Sequence, residues 1–325
     1  MNRRHFLTAA IAGLALAAPF AAAAQAQSSP TPAAAPKEVR IGYQKNGLLL
    51  IAKQQGKLEA RFKPLGIEVK WVEFQFGPPL LEALNVGSID YGTTGDAPPI
   101  FAQAAKANLF YVAAQEAAGS GAAILLPPNS PIQTLQDLKG KKIGFAKASS
   151  SHNLTIAAIE KAGIGYDEFT PLYLTPADAR AAFERGSLDA WTIWDPYFAI
   201  AEKQPGVRIL ALSKGIVAQN SFFLANKDFT NRSPQIVAAV NEELAKIAHW
   251  AEANRGEVAE VQAAATGLDL ESWKRAVERS EFAIGPLSER VIAEQQRVAD
   301  RFHRLGLIPK PIVVKDIVWT WTPAS

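Results

Sequence analysis

Two short segments occur twice, in the same order, and this repetition limits what the chain can fold into more than any other feature. Val39-Arg40-Ile41-Gly42-Tyr43-Gln44-Lys45 reads as a strand running into a loop, and Lys142-Ile143-Gly144-Phe145-Ala146-Lys147 repeats its Ile-Gly-aromatic-x-Lys pattern. Leu84-Asn85-Val86-Gly87-Ser88-Ile89-Asp90-Tyr91 is matched by Phe183-Glu184-Arg185-Gly186-Ser187-Leu188-Asp189-Ala190. In both copies an apolar-periodic helix stops at a glycine and a strand begins within a few residues. The first pair is offset by 102 positions (42 to 144) and the second by 99 (87 to 186), so the units differ by small insertions. Nine residues past each glycine stands an aspartate, Asp96 and then Asp195, with Pro98 and Pro196 close behind. A single Gly-Ser-x-Asp is a common helix-to-strand turn; two copies beside a second matched pair argue for duplication. Each unit reads strand–helix–strand–helix–strand, the pattern of a parallel sheet with covering helices. The expectation is an α/β protein of two similar lobes, each of about 90–100 residues.

Past Asn226 the chain turns helical. Ser233-Pro234 is an N-cap followed by proline at the first helical position. Apolar residues then recur at helical spacing through Ile236, Val240, Leu244, Ile247 and Trp250. Further helices are expected from Asp269 to Phe282 and from Leu287 to Leu305, with the apolar closing stretch Ile312 to Trp321 lying along one lobe.

At the other end, Arg3 and Arg4 precede the apolar run Phe6 to Ala24, and Ala24-Gln25-Ala26 has the small-x-small form of a signal-peptidase site. Residues 1–26 are read as a cleavable signal peptide, in which Arg3-Arg4-His5-Phe6-Leu7 also fits a twin-arginine address. Residues 27–36, rich in Pro, Ala and Ser, read as a disordered leader. Losing two arginines and no acids takes the formal charge from +3 to +1. So neutral a chain, without basic blocks, argues against nucleic acid or an acidic membrane surface as partner. Cysteine is absent, which excludes disulfides, a thiol nucleophile and a lipid-modified N-terminal cysteine. Beyond the signal no apolar run is long enough to span a bilayer. A freely diffusing, exported monomer is expected.

Catalytic motifs are missing. There is no Gly-x-Ser-x-Gly elbow, His-Glu-x-x-His, phosphate-cradling Gly-x-x-x-x-Gly-Lys or dinucleotide fingerprint, and four histidines, one inside the signal, leave little for a metal. The expectation is no catalysis, no cofactor and no metal. Anion binding has better candidates. Strand ends of a parallel sheet share one edge where helices begin, and helix N-termini offer unpaired N–H groups and partial positive charge. Lys147-Ala148-Ser149-Ser150-Ser151-His152-Asn153 sits at such an edge and adds hydroxyl donors. A sulfonate or sulfate, ionised at every relevant pH, accepts several such bonds at once. Serine runs also serve as plain N-caps, and His152 reads equally as an anion donor or as a structural bond to backbone.

The matching edge of the first unit is Gly92-Thr93-Thr94-Gly95-Asp96-Ala97-Pro98-Pro99. Gly95 permits close backbone approach, and Asp96 reads as the N-cap of the helix carrying Ile100, Phe101 and Ala104. A carboxylate repels an anion, so direct ligand contact by Asp96 would call for a cationic amine on the ligand. Gln44, Lys45 and Asn46 follow the first strand and offer donors. Trp194, nearer its strand end than Trp191, is placed in the cleft as a wall for an apolar tail. Phe74-Gln75-Phe76-Gly77-Pro78-Pro79 is the candidate for the opposite wall.

Together these residues resemble a known family. Gly42 to Lys45, Glu73-Phe74, Gly77-Pro78, Leu80 to Leu84, Gly87 to Gly92, Thr94 to Ala104, Ser149 to His152 and Trp194-Asp195-Pro196 are similar to the aliphatic sulfonate-binding proteins of bacterial ABC importers, over nearly the whole mature chain. The resemblance implies the type II periplasmic binding protein fold, two lobes joined by crossing segments near Leu126 to Asn129 and Ala218 to Phe222. It assigns residues 37–126 and 221–325 to the first lobe with its C-terminal helices, and 127–220 to the second. It also implies a sulfonate head between the lobes, an aliphatic tail in the remaining cleft, and contacts from Gln44, Thr94, Gly95, Asp96, Ser149, Ser150, Ser151, His152, Trp194 and Asp195. Capture by lobe closure in the periplasm and delivery to an ABC permease of the inner membrane follow from it. Relatives of this family bind taurine, nitrate or other small anions. Same-fold enzymes that form pyrimidine precursors of thiamine would call for a cysteine or histidine cluster and a cytoplasmic address, and this sequence shows neither.

Overall fold

The computed structural model describes residues 36–322; the expected signal peptide, and the expected leader up to residue 35, lie outside the described residues. The chain first lays down β1 (Glu38–Tyr43), α1 (Gly47–Gln55), α2 (Lys57–Phe62), β2 (Glu68–Glu73), α3 (Gly77–Asn85), β3 (Tyr91–Thr94), α4 (Ala97–Ala104) and β4 (Leu109–Gln115). It then forms β5 (Ala122–Leu126), β6 (Lys142–Phe145), α5 (Ser150–Lys161), β7 (Thr170–Tyr173), α6 (Pro176–Glu184), β8 (Ala190–Trp194), α7 (Tyr197–Glu202) and β9 (Arg208–Leu212). After β10 (Ser221–Asn226) come α8 (Lys227–Arg232), α9 (Pro234–Ala253), α10 (Arg255–Thr266), α11 (Leu270–Arg279) and α12 (Glu289–Arg304). The closing stretch lies beside β4, where the Trp319 N–H donates to the Tyr111 carbonyl at 2.8 Å.

Hydrogen bonding sorts the strands into two sheets with corresponding orders, β2-β1-β3-β10-β4 and β7-β6-β8-β5-β9. In each sheet the first three strands are parallel and the fourth is antiparallel to its neighbours on both sides. The repeated units alone read as parallel sheets. The fourth strand runs against the others because it enters straight from a crossing between sheets, with no βαβ turn to restore its direction.

The crossings are therefore residues 116–121 and 213–220. Ala122–Leu126, expected in the first lobe, belongs to the second sheet. Ser221 and Phe222, expected in the second crossing, already pair in the first sheet. A strand buried on both faces is a continuous apolar run, as in β5, and such a run carries no mark of which sheet it will join.

The repeat has a physical content that is the same in both lobes. Gly87 (φ 70°) and Gly186 (φ 69°) end α3 and α6 in the left-handed conformation. Paired bonds close each helix: Ser88 N–H to Ala83 O and Gly87 N–H to Leu84 O, then Ser187 N–H to Ala182 O and Gly186 N–H to Phe183 O. The next apolar residue drops onto the strand glycine of the other repeated segment. A Cβ on Gly42 would meet Ile89 Cδ1 at 2.5 Å, and one on Gly144 would meet Leu188 Cδ1 at 2.4 Å. The aspartate then stitches the strands. Asp90 accepts the Arg40 N–H at 2.8 Å, and Asp189 accepts the Lys142 N–H at 2.7 Å. Asp90 also pairs with the Arg40 side chain, through Nη2 at 2.6 Å.

Helices cover both faces of each sheet, separated into four apolar clusters. In β10, Phe223 and Ala225 face the cluster of α1, α9, α10 and α11, whereas Phe222 and Leu224 face that of α3, α4 and α12.

The glycine contacts predict that Gly144→Ala destabilises the protein by about 1–3 kcal/mol, the usual range for overpacking. Adding Leu188→Val should recover part of that loss in denaturant titrations. Strictly additive effects would show that the two side chains do not compete for this space.

Candidate functional site

The carboxyl ends of the parallel strands in both sheets open on one cavity of about 210 Å³. From the first lobe it receives Gln44, Asn46 and Gly47 at the start of α1, Gly77 at the start of α3, and Thr94 and Gly95 before α4. From the second come Ser149 and Ser150 at the start of α5, and Trp194 and Asp195 past β8. Several helix N-termini thus point at one space, each with unpaired N–H groups and a partial positive charge.

The lobes approach closely at Gly95, where a Cβ would lie 1.8 Å from Ser150 Oγ. Its backbone is not left-handed, so room rather than conformation demands glycine here. At the head of α5, Ser149 has N-cap geometry without capping. Its hydroxyl donates to Ala146 O at 2.7 Å and meets Ser151 Oγ at 2.8 Å, and no side chain closes the helix end.

Seven of the ten expected residues line this cavity: Gln44, Thr94, Gly95, Ser149, Ser150, Trp194 and Asp195. Three lie behind it. Ser151 is fully buried. His152 is buried too, and its Nδ1 accepts the Ala148 N–H at 3.2 Å. That bond fixes the tautomer, so Nε2–H donates to Tyr166 Oη at 3.0 Å. Burial first, and the Lys147 charge second, push its pKa down to about 3. A neutral His152 therefore pins the left-handed turn at Ala148 (φ 59°) that presents Ser149, with no ring nitrogen left for an anion.

Asp96 is the third. Its Oδ1 accepts the Ala97 N–H at 2.7 Å, and its Oδ2 accepts Asn153 Nδ2 of the other lobe at 2.7 Å. Asn153 Oδ1 in turn accepts from Arg301 Nη1 at 2.9 Å. Burial raises the Asp96 pKa to about 6 against these donors. With both oxygens occupied by protein groups, Asp96 needs no ligand amine.

The tryptophans divide as expected, Trp191 packing in the core against Phe183 and Trp194 reaching the cavity. Of the segment expected as the opposite wall, Gly77 is the residue that lines it. Gln262, Trp273, Arg279 and Phe282 line it as well, without any signal in the sequence. Gln262, Trp273 and Arg279 sit on C-terminal helices whose pattern reads as core packing, and Phe282 follows them, in a segment expected to be helical that lies past the end of α11; their return to the cleft is a tertiary event. Among the described residues no cluster of His, Cys, Asp and Glu is arranged to hold a metal, and no helix is long and apolar enough to cross a membrane.

Comparison with known proteins places this architecture. Residues 47–257 match the family model described as NMT1/THI5 like. A protein of Escherichia coli (strain K12) named as an aliphatic sulfonates-binding protein is 40% identical over 318 residues, 97% of each chain. The crystal structure of the periplasmic aliphatic sulphonate binding protein SsuA from Escherichia coli superposes with a TM-score of 0.81 at 40% identity, covering 90% of this chain and 94% of that one. The alkanesulfonate-binding protein SsuA from Xanthomonas axonopodis pv. citri, bound to MOPS, gives a TM-score of 0.84 at 42% identity, over 87% of this chain and 98% of that one. The chain belongs to the aliphatic sulfonate-binding protein family. Its fold is that of the type II periplasmic binding proteins, and the relatives named above are sulfonate-binding proteins by name.

Two outcomes follow from the geometry. Gly95→Ala should hold the lobes apart at Ser150, raising the radius of gyration in X-ray scattering. Combining it with Ser150→Gly should restore compactness, and an unchanged radius in Gly95→Ala would refute the contact. The second outcome concerns pH. The unfolded chain binds a proton at His152 below about 6.5, and the folded protein only near 3. The stability supported by neutral His152 is complete above 6.5 and drains as pH falls through that window, by up to about 1.4 kcal/mol per pH unit. The stability gap between the wild type and His152→Gln should therefore narrow from pH 6.5 toward about 4. A constant gap in denaturant titrations would count against this origin.

Proposed function

We propose that the protein is exported to the periplasm, captures a small organosulfonate between its lobes and presents it to an ABC permease. Thr94, Gly95, Ser149 and Ser150 receive the head group, and Trp194 walls the tail. The observation that carries this reading is the meeting of hydroxyl and helix N-terminal donors from both lobes in one cavity. A sulfonate cannot be protonated near neutral pH, so donors, rather than acceptors, are what it requires. Contacts supplied by two lobes exist together only when these close, so binding shifts the open–closed equilibrium toward the closed form.

Size agrees with a modest guest. About 210 Å³ is below the roughly 300–1,000 Å³ of pockets for drug-sized ligands, leaving room for a head group and a short chain. The relatives named above are sulfonate binders, and MOPS is itself a sulfonate. Several charge-assisted hydrogen bonds and a small apolar contact suit micromolar affinity, about −8 kcal/mol.

Short alkanesulfonates at about 100 times Kd should stabilise the protein by roughly 2.7 kcal/mol, raising the melting temperature by several degrees, with sulfate doing less. A shift with nitrate and none with any sulfonate would overturn the reading.

A further inference from the structure

Several polar side chains of the cleft are already engaged by the protein. Gln44 Nε2 donates to the Thr93 carbonyl at 3.1 Å, Gln115 Nε2 donates to the Glu281 carbonyl, and Arg279 is held by Asp195 and Glu202. Gln219 Nε2 is sealed from solvent. Gln262 differs from all of these. It lines the same cavity with only 2% of its surface exposed, and its side-chain amide makes no hydrogen bond to another described residue. Neither amide atom is sealed. The small exposure that Gln262 keeps is therefore toward the cavity.

Its place on the helix sharpens the point. α10 turns Val258, Ala259 and Gln262 inward, a stripe at helical spacing in which an apolar residue would pack best. A buried amide without a partner weakens a fold, so its presence there calls for a use. Val258 and Ala259 belong to the apolar cluster that also sends Leu48, Phe223, Trp273 and Phe282 to the cavity wall. Trp273 Nε1 is itself engaged, donating to Thr266 Oγ1 at 2.8 Å. The proposed head-group donors come from the opposite face of the first sheet. They stand at the starts of α4 and α5, whose Ala97, Ile100 and Ile156 pack in the other cluster of that lobe. A guest with its sulfonate at Gly95 and Ser150 thus turns its tail toward a wall that is largely apolar and carries one free amide.

We propose that Gln262 sets specificity for the tail: its amide hydrogen-bonds a hydroxyl there, so that among aliphatic sulfonates the cleft favours those hydroxylated away from the head. This rests on the sulfonate reading of the same cleft and deepens it. The amide offers a donor at Nε2 and an acceptor at Oε1, and a hydroxyl is the small group that answers either. Which way round the amide lies is therefore immaterial. In the free protein water serves the amide, and a plain alkyl tail that displaces this water serves neither atom. A site built to bond a hydroxyl rejects the analogue that lacks it, because its own polar group is then left unpaired.

The test is calorimetry with two matched pairs, isethionate against n-propanesulfonate and 3-hydroxypropanesulfonate against n-butanesulfonate, each pair differing by a hydroxyl in place of a methyl. Two chain lengths are used so that the hydroxyl samples two depths of the cleft. The hydroxyl member of at least one pair should bind about tenfold tighter. Gln262→Leu should cancel or reverse that ratio while binding the plain alkanesulfonates at least as well as the wild type. Gln262→Met, closer in shape, takes its place if the leucine variant folds poorly, and the wild-type ratio is a test by itself. Methyl members that bind as tightly as their partners in both pairs would overturn the assignment while leaving the sulfonate reading intact. A hydroxyl preference undiminished in a folded Gln262 variant would overturn it by giving the hydroxyl to another group. An equal loss for all four ligands would overturn it by placing Gln262 at the head group or in the scaffold. No heat with any sulfonate, but binding of nitrate, would defeat the sulfonate reading itself and this assignment with it.

Discussion

The structure depends on a small steric fit made twice: a strand glycine that leaves room for the apolar residue following a helix-ending turn. Ile89 over Gly42 and Leu188 over Gly144 fix how α3 and α6 return to their sheets. The aspartate after each apolar residue then bonds the first residues of the neighbouring strand. Once that register is set, the strand that begins there ends a fixed distance later. Thr94-Gly95-Asp96 and Trp194-Asp195 thereby arrive at the open edges of two sheets. The cleft is a consequence of two well-made turns, one per lobe, rather than of any single binding residue.

The equivalent aspartates show how one scaffold yields two roles. Asp96 and Asp195 occupy matching positions, the first buried and the second largely so, with pKa values raised to about 6 and about 7. Each gives one oxygen to a backbone N–H of the helix that follows. The second oxygen separates them. Asp96 Oδ2 meets Asn153 and closes an interlobe bond, whereas Asp195 Oδ2 meets nothing among the described residues. The duplication supplied the same chemistry to both lobes, and tertiary placement spent it differently.

Local signals made much of this legible in the sequence. The glycine turns, the strand glycines and the serine run before α5 are all features whose physics acts within a few residues, and they pointed to the two lobes and to part of the cavity lining. The misplacements share a cause. β5 carries no mark of its sheet because both its faces are buried, so the first crossing was placed after it rather than before it. His152 stands among residues of the cavity edge, and only the Ala148 N–H at its Nδ1 reveals that the ring turns inward. Arg279 looks like one more basic residue of an amphipathic helix until α11 folds back against α7 and brings it beside Asp195.

The seam between the lobes bears on how a weak guest can move so large a body. Ala199 of α7 packs in the core cluster of the first lobe that includes α11, and Ile156 of α5 packs in the cluster that includes α12. Around these contacts the first lobe presents mainly cations, Arg275, Arg279, Arg301 and Arg304, to Glu202, Asp195 and Glu160 of the second. Arg275 and Arg304 are more than half exposed, and pairs of that kind contribute at most about 1 kcal/mol each. Such pairs orient the approach of the lobes without locking it. On the proposed closure mechanism, open and closed forms that differ by a few kcal/mol leave a gap that a ligand bound through both lobes can reverse. α5 spans the seam: Arg301 and Arg304 hold it at Glu160, while its other end places Ser149 and Ser150 on the cavity wall.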